Sequence, residues 1–417
     1  MKVFKFGGAS VKDANAVKNV GRILNLFPNE DIIVVISAMG KVTNALERLT
    51  DAFFYKKENA ADVLNEIKQY HFDIVDQLFS NKQHPIYDEL NNTFVELEWA
   101  IEDDPTHSYN HEYDQIVSMG ELISTKIVSA YLNEANIKNQ WLDARGIIQT
   151  DNTYREGRVD WELTQKLSEN LSQQKGITIT QGFIGGTSEN FTTTLGREGS
   201  DYTAAILAFT TNSESVTIWK DVPGVLNADP KWFDETKKLE QISYQDAIEL
   251  AYYGATVIHP KTIKPLQNKK IPLYVKSFID PNEKGTVINE IQSPLPIPCF
   301  IFKVNQVLIS ISPKDFSFII EENLSDIFNL FAEKQVKVNV MQNSAISFSV
   351  SVDNDERKLP DLIKTLQKDY RVLYNDNLEL ITIRYYDQAT IERVTIDKKI
   401  LLEVKSRNTV QLVVKNA

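Results

Sequence analysis

The chain has one cysteine, Cys299, and five histidines among 417 residues. A lone thiol excludes an intrachain disulfide and argues against zinc held by thiolates. His71, His84, His107, His111 and His259 fall at no recognisable metal-ligand spacing. Positive charge is scarce as well: 45 Lys and Arg stand against 57 Asp and Glu, a net charge of -12. Such a deficit argues against a nucleic-acid or anionic-membrane partner, where basic patches supply most of the affinity. It leaves room for small anions gripped by a few local cations. No apolar run approaches the roughly 18 residues that span a bilayer. The opening Met1-Lys2-Val3-Phe4-Lys5 is not followed by an apolar signal segment, so a cytoplasmic protein is expected. Internal repeats and low-complexity tracts are lacking too.

What is present is ordinary globular material, 42% hydrophobic and 24% charged, in a length that favours two domains. Val3–Phe6, Asp31–Ser37, Asn139–Leu142, Gly176–Gln181, Ser215–Trp219 and Pro272–Val275 read as strands, the last closing the first domain. Ala14–Leu26 and Lys41–Phe54 read as helices, and the stretch from Ala45 to Asn133 is mostly helical, broken at His84-Pro85 and Asp104-Pro105. Strands alternating with helices mark an α/β sheet with crossovers. Ser293–Pro298 packs three prolines into six residues and marks a linker. Beyond it, strands at Val307–Ser312, Val336–Val340, Ser344–Val352, Arg371–Tyr374 and Leu378–Tyr385 and helices at Asn323–Lys334 and Leu359–Lys368 follow a β-α-β-β-α-β order. That is the ferredoxin-like plan of small ligand-sensing modules.

Several segments could carry chemistry. Lys5-Phe6-Gly7-Gly8-Ala9-Ser10 joins a strand to a helix, where two glycines admit an anion close to the backbone and Lys5 adds charge. It does not match the Walker P-loop pattern, and a plain tight turn with a surface lysine is the bland reading. Thr192–Thr203, with Gly196, Arg197, Gly199, Ser200 and Asp201, runs into an apolar helix. It suits anion and Mg²⁺ handling, with Arg197 able to grip a carboxylate bidentately, while Ser200 or Asp201 can equally cap the helix. Asp221-Val222-Pro223-Gly224 is ordinary turn chemistry by itself. Glu121 near a helix start fits a dipole role, and His259 reads as structural.

Taken together these segments resemble the aspartate kinases of the amino acid kinase family. The resemblance runs from residue 1 to about 290 through KFGGAS (Lys5–Ser10), the S-A-x-x-x-x-T-N loop (Ser37–Asn44), S-x-G-E (Ser118–Glu121), TQGFIG (Thr180–Gly185), TTTLGREGSDYTA (Thr192–Ala204), DVPGVLNADP (Asp221–Pro230) and YGATVIHP (Tyr253–Pro260). It implies a three-layer α/β/α catalytic domain over residues 1–292. The implied reaction is ATP plus L-aspartate giving ADP plus 4-phospho-L-aspartate, the first step of lysine, threonine and methionine biosynthesis. Lys5 resembles the lysine that stabilises the transferring phosphoryl group, and Asp201 the aspartate that organises that lysine and the metal-nucleotide. Arg197 corresponds to the group holding the substrate α-carboxylate and Glu121 to the one pairing with its α-amino group, with Thr43, Asn44 and Ser200 lining the same pocket. Gly7, Gly8, Ser37, Thr194, Lys220, Asp221, Leu226 and Lys231 fall where the family meets the nucleotide. Mg²⁺ is expected on the ATP phosphates, with no dedicated protein metal site. Departures are Lys220 for a common threonine, Leu226 for tyrosine, Lys231 for arginine, Thr256 for lysine and Glu198 for glycine.

Residues 299–417 resemble the α+β, ACT-type regulatory region of these kinases, with a second module from about residue 378 that is short by at least one helix. The resemblance implies a homodimer and an amino-acid effector at the ACT interface. Asn339, Asn343 and Ala345 stand where lysine-sensitive members carry an aspartate, a threonine and a glutamate, so lysine insensitivity is expected. Two other readings are open: a kinase of glutamate or N-acetylglutamate, and a catalytically silent amino-acid sensor. The ACT-like tail and the pairing of Glu121 with Arg197 favour aspartate, and retention of Lys5, Arg197 and Asp201 argues against a pure sensor.

Overall fold

In the computed structural model the described residues are 1–233, 235–255, 258–290, 297–315 and 317–416. Two compact units divide the chain: Met1–Val225, Lys238–Ile248 and Val257–Gln292 form the first, and Leu226–Lys237, Glu249–Thr256 and Ser293–Ala417 the second. The proline-rich linker read at Ser293–Pro298 lies outside the described residues up to position 296, as does Thr256. Two excursions, 226–237 and 249–256, join the C-terminal segment in the second unit. Among the described residues no helix is long and apolar enough to cross a membrane.

The first unit has strands β1 (Lys2–Phe6), β2 (Ile32–Ile36), β3 (Asn139–Leu142), β4 (Ile177–Gln181), β5 (Ile184–Gly186), β6 (Thr192–Thr194), β7 (Ser215–Lys220), β8 (Gln241–Ser243), β9 (Leu273–Ser277) and β10 (Thr286–Asn289). Its helices are α1 (Ala14–Leu24), α2 (Val42–Tyr55), α3 (Ala60–Leu78), α4 (Ile86–Glu102), α5 (Tyr109–Val117), α6 (Met119–Glu134), α7 (Trp161–Leu167), α8 (Glu169–Ser172), α9 (Gly199–Thr210) and α11 (Pro260–Lys269), with α10 (Tyr244–Tyr253) continuing past Ile248. Eight strands form one sheet in the order β3-β4-β2-β1-β7-β9-β10-β8, parallel except between β9 and β10. The strand expected to close this domain is therefore followed by β10, and β8 also joins the edge. Three- and four-residue strands of mixed polarity carry too little periodicity to be read, and pairing with neighbours defines them.

Side-chain alternation separates the faces of the sheet. Phe4 and Phe6 of β1, with Ile32, Val34 and Ile36 of β2, enter one core with Val17, Val20, Leu46, Ile123 and Ile127 from α1, α2 and α6. Lys5, between the two phenylalanines, points to the opposite face, where α9 packs on β1, β2 and β7. The all-buried β2 is the continuous apolar run of a sheet covered on both sides, and β1 departs from that pattern at Lys2 and Lys5.

The second unit holds β11 (Cys299–Pro313), α12 (Glu321–Glu333), β12 (Val338–Asn343), β13 (Phe348–Asp353), α13 (Leu359–Asp369), β14 (Tyr370–Arg384), α14 (Gln388–Val394), β15 (Lys398–Lys405) and β16 (Thr409–Asn416). They form an antiparallel sheet in the order β12-β13-β11-β14-β16-β15. The expected β-α-β-β-α-β run is there, but the segments read as separate strands at Arg371–Tyr374 and Leu378–Tyr385 are one strand, as are 299–303 and 306–313. Asn305 and Asn377, at φ 54° and 53°, bulge both strands between the two modules and interrupt the alternation that marks a strand in sequence. Seven-residue α14 gives the second module one helix among the described residues.

Candidate active site

The site grows from four loops that meet at the C-terminal ends of β1, β2, β6 and β7. Gly8 follows β1, and a Cβ there would lie 2.7 Å from Gly40 O and 2.8 Å from Ala38 O, so only glycine lets the two loops touch. Gly40, at φ 54°, donates its N–H to Gly8 O at 3.0 Å. The loop then enters α2, bringing Thr43 and, one turn on, Glu47 to the same side. From α6, Ser124 donates to Ser37 O at 2.7 Å, and Glu121 Oε1 accepts the Ala38 N–H at 3.2 Å.

The β6–α9 connection supplies the rest. Gly196 and Glu198 both take left-handed backbone, at φ 75° and 54°. Glu198 stands where the resemblance expects glycine, and its conformation is the one glycine adopts freely. Its carboxylate also accepts the His259 N–H at 3.0 Å, while the His259 side chain caps α11, the structural role its sequence context indicates. Gly182 has no room for a side chain, since its Cβ would fall 2.4 Å from Ser200 Cβ. Asp201 lies in the first turn of α9, and its Oδ1 pairs with Lys5 Nζ at 2.6 Å, both side chains nearly buried. Lys220 Nζ, from the end of β7, is 3.8 Å from Asp201 Oδ2.

These groups surround a cavity of about 870 Å³ lined by Lys5, Gly8, Ser37, Thr43, Glu121, Thr194, Arg197, Ser200, Asp201 and Lys220 among the residues read from sequence. Gly7, Asn44 and Asp221 belong to the first unit but not to this lining, and Leu226 and Lys231 belong to the second unit. Glu121 is 2% exposed, and burial pushes its carboxyl up to about 8, against a smaller opposing pull from Lys5. Its Oε2 has no hydrogen-bond partner among the described residues. A buried, unsatisfied carboxyl oxygen in a cavity is a ready seat for a cation.

Sequence reading missed Glu47, Tyr113, Asp114, Arg155 and Glu156. Asp114 is fully buried and accepts from Thr194 N–H (2.9 Å), Thr194 Oγ–H (2.7 Å) and Arg155 N–H (2.9 Å), tying α5 to β6 and to the 153–156 loop. Burial raises Asp114 to about 6, although all three bonds pull the other way. The one signal available in sequence was the charged Tyr154-Arg155-Glu156 before Gly157.

Among the described residues no three His, Cys, Asp or Glu side chains form a group able to hold a metal. Of the five carboxylates lining the cavity, Glu47, Glu121, Glu156, Glu198 and Asp201, Asp201 is the one paired with lysine.

A sequence profile of the amino acid kinase family matches residues 1–277. The chain is 31% identical over 358 residues to the lysine-sensitive aspartokinase 3 of Escherichia coli (strain K12), covering 84% of this chain and 78% of that one. It is also 31% identical to the chloroplastic aspartokinase 1 of Arabidopsis thaliana, covering 87% of this chain but 65% of the plant protein. Among solved structures, E. coli aspartokinase III in complex with aspartate and ADP (R-state) superposes with a TM-score of 0.82 at 27% identity, over 99% of this chain and 96% of the other. The same enzyme in complex with lysine and aspartate (T-state) gives 0.83 at 27% identity, over 99% and 95%.

Proposed function

The chain belongs to the amino acid kinase family, and from that premise we propose that it is an aspartate kinase, transferring the γ-phosphoryl group of ATP to the side-chain carboxylate of L-aspartate. The observation that carries this reading is the buried Lys5–Asp201 pair at the N-terminus of α9, in one cavity with Glu121 and Arg197. The acceptor carboxylate is already ionised near neutral pH, so no strong general base is needed. Transfer needs in-line alignment and neutralisation of charge on the phosphoryl oxygens. Lys5 supplies that charge, Asp201 holds it in position, and the α9 N–H groups face the same anion. Arg197 holds the α-carboxylate and Glu121 receives the α-ammonium, with Thr43, Asn44 and Ser200 beside them. Gly7, Gly8, Ser37, Thr194, Lys220 and Asp221 are the nucleotide contacts in this reading. Mg²⁺ enters with ATP and, when bound, offsets phosphate charge.

The second unit is the regulatory part of this reading, and a homodimer forms through it. Supporting that, Phe318, Met341, Ile346, Leu373 and Tyr374 are large apolar side chains more than 45% exposed, and β12, which carries Met341, is an edge strand. Lysine insensitivity is supported by Asn339. Its amide donates to Gln306 Oε1 and Asp353 Oδ1, both at 2.9 Å, and its oxygen accepts from Lys303 Nζ at 2.8 Å. That side chain is fully engaged within its own module.

The test is aspartate-dependent ADP release from Mg-ATP, run with and without lysine and threonine. Strong dependence on aspartate is expected, with no inhibition by lysine below millimolar concentration. Turnover with glutamate or N-acetylglutamate in place of aspartate would overturn the substrate, and sub-millimolar inhibition by lysine would overturn the regulatory reading.

A further inference from the structure

Four cations line the 870 Å³ cavity: Lys5, Lys220, Arg155 and Arg197. Lys5 and Lys220 both lie against the Asp201 carboxylate, at 2.6 and 3.8 Å. Two guanidiniums remain, and neither has a carboxylate within 4.0 Å among the described residues. Aspartate brings two carboxylates. With Arg197 on one of them, we infer that Arg155 is the specificity-determining residue that holds the other, the reacting side-chain carboxylate. One of its oxygens is held and the second is left free to attack the phosphoryl group. This inference rests on the aspartate kinase reading.

Arg155 is built for a ligand in three respects. Its backbone sits at φ 69°, a conformation that disfavours any residue with a Cβ, and strain of this kind gathers at functional sites. The buried Asp114 carboxylate fixes the strained turn through the Arg155 N–H at 2.9 Å, whatever the side chain does. The guanidinium carbon lies 4.2 Å from the Tyr113 ring centroid, and Tyr113 donates its hydroxyl to Glu47 Oε1 at 2.5 Å. A guanidinium lying over an aromatic ring is oriented with its N–H edge still open, able to hold one carboxylate oxygen by a charge-assisted hydrogen bond. Glu47 lies one turn after Thr43 on α2, which assigns Arg155 to the amino-acid end of the cavity rather than to the nucleotide end at Lys220.

The competitor that isolates this contact is asparagine, which keeps the α-carboxylate and α-ammonium but carries no side-chain charge. Arg155→Ala is expected to raise the KM for aspartate by about ten- to a hundredfold, the worth of a charge-assisted hydrogen bond. The KM for ATP and the inhibition constant of asparagine should stay within about twofold, and Arg155→Lys should recover part of the loss. Arg155→Gly keeps the N–H to Asp114 and removes the Cβ from a left-handed position, so it should melt no lower than wild type while losing aspartate affinity as the alanine variant does. That variant keeps the test alive if the alanine protein folds poorly. Parallel weakening of aspartate and asparagine would assign Arg155 to the α-carboxylate, and an unchanged aspartate KM would remove it from the site; either result overturns the inference. Wild-type turnover that does not depend on aspartate would instead sink the kinase reading, before any variant is compared.

Discussion

Glu121→Gln offers a direct test of the buried carboxyl on which the site turns. Glu121 is 2% exposed, accepts one N–H, from Ala38, and is raised by burial from its ordinary 4.5 to about 8. In the unfolded chain the carboxyl loses its proton near 4.5, whereas in the folded chain it keeps it to about 8. The folded state therefore binds more protons between those values, and stability falls as pH rises through that window. At 1.36 kcal/mol per pH unit the wild type should lose roughly 3 kcal/mol by neutrality and about 4–5 kcal/mol once the window is crossed. Glutamine has nearly the same shape and no proton to lose, so its variant should match wild type near pH 4.5 and become progressively the more stable above it. Urea unfolding followed at half-unit pH intervals reads the divergence. A functional consequence follows from the same value. If the α-ammonium of aspartate docks on Glu121, binding near neutral pH should expel close to one proton, visible as a buffer-dependent enthalpy in titration calorimetry. The variant should release none and bind aspartate more weakly. Parallel stability profiles for the two proteins, together with proton-free binding in the wild type, would refute the reasoning at both steps.

Lys5→Ala and Asp201→Ala should each lower kcat by about 10²–10³, the usual cost of removing a preorganised group that faces developing charge; an alanine variant at Asp201 that keeps most of its turnover would remove that residue from catalysis. Arg197→Ala should act mainly on the KM for aspartate, with a smaller fall in kcat from lost alignment, as steady-state kinetics over both substrates would reveal. Asp114→Ala leaves the Thr194 and Arg155 N–H groups without their acceptor, so it should cost about 2–3 kcal/mol in denaturant unfolding. It should also raise the KM for aspartate through the loosened 153–156 loop, with that for ATP little changed.

Much of the first unit is legible in sequence because its central strands are covered on both faces. Ile32–Ile36 is an unbroken apolar run and Val3–Phe6 is apolar except at Lys5, patterns that few other structures tolerate. The β5–β6 hairpin escapes because Thr192–Thr194 is a polar triplet whose buried hydroxyls are satisfied only by partners distant in sequence. Thr193 meets Thr150 at 2.6 Å, and Thr194 meets Asp114 at 2.7 Å. The same physics hides half of the site. Lys5, Glu121, Arg197 and Asp201 sit in motifs that family resemblance picks out, whereas Asp114 gains its meaning only from residues 41 and 80 positions away. No local pattern encodes that closure. Arg155 is invisible for a related reason, since its value as a cation depends on the other lysines being engaged, which only the assembled cavity reveals.

The departures from the family pattern can be weighed in the same way. A glutamate at position 198 in place of glycine looks disruptive in sequence, yet its left-handed backbone is retained at φ 54° and its carboxylate accepts the His259 N–H. The substitution adds a contact at the entrance to α11 and leaves the path of the β6–α9 connection as glycine would set it. Lysine at position 220, in place of threonine, has a larger consequence. It brings a second ammonium to Asp201 from β7, across from Lys5 on the adjacent β1. Two lysines flanking one carboxylate leave a net positive charge where the phosphoryl oxygens are proposed to sit, and that charge is carried by the sheet itself.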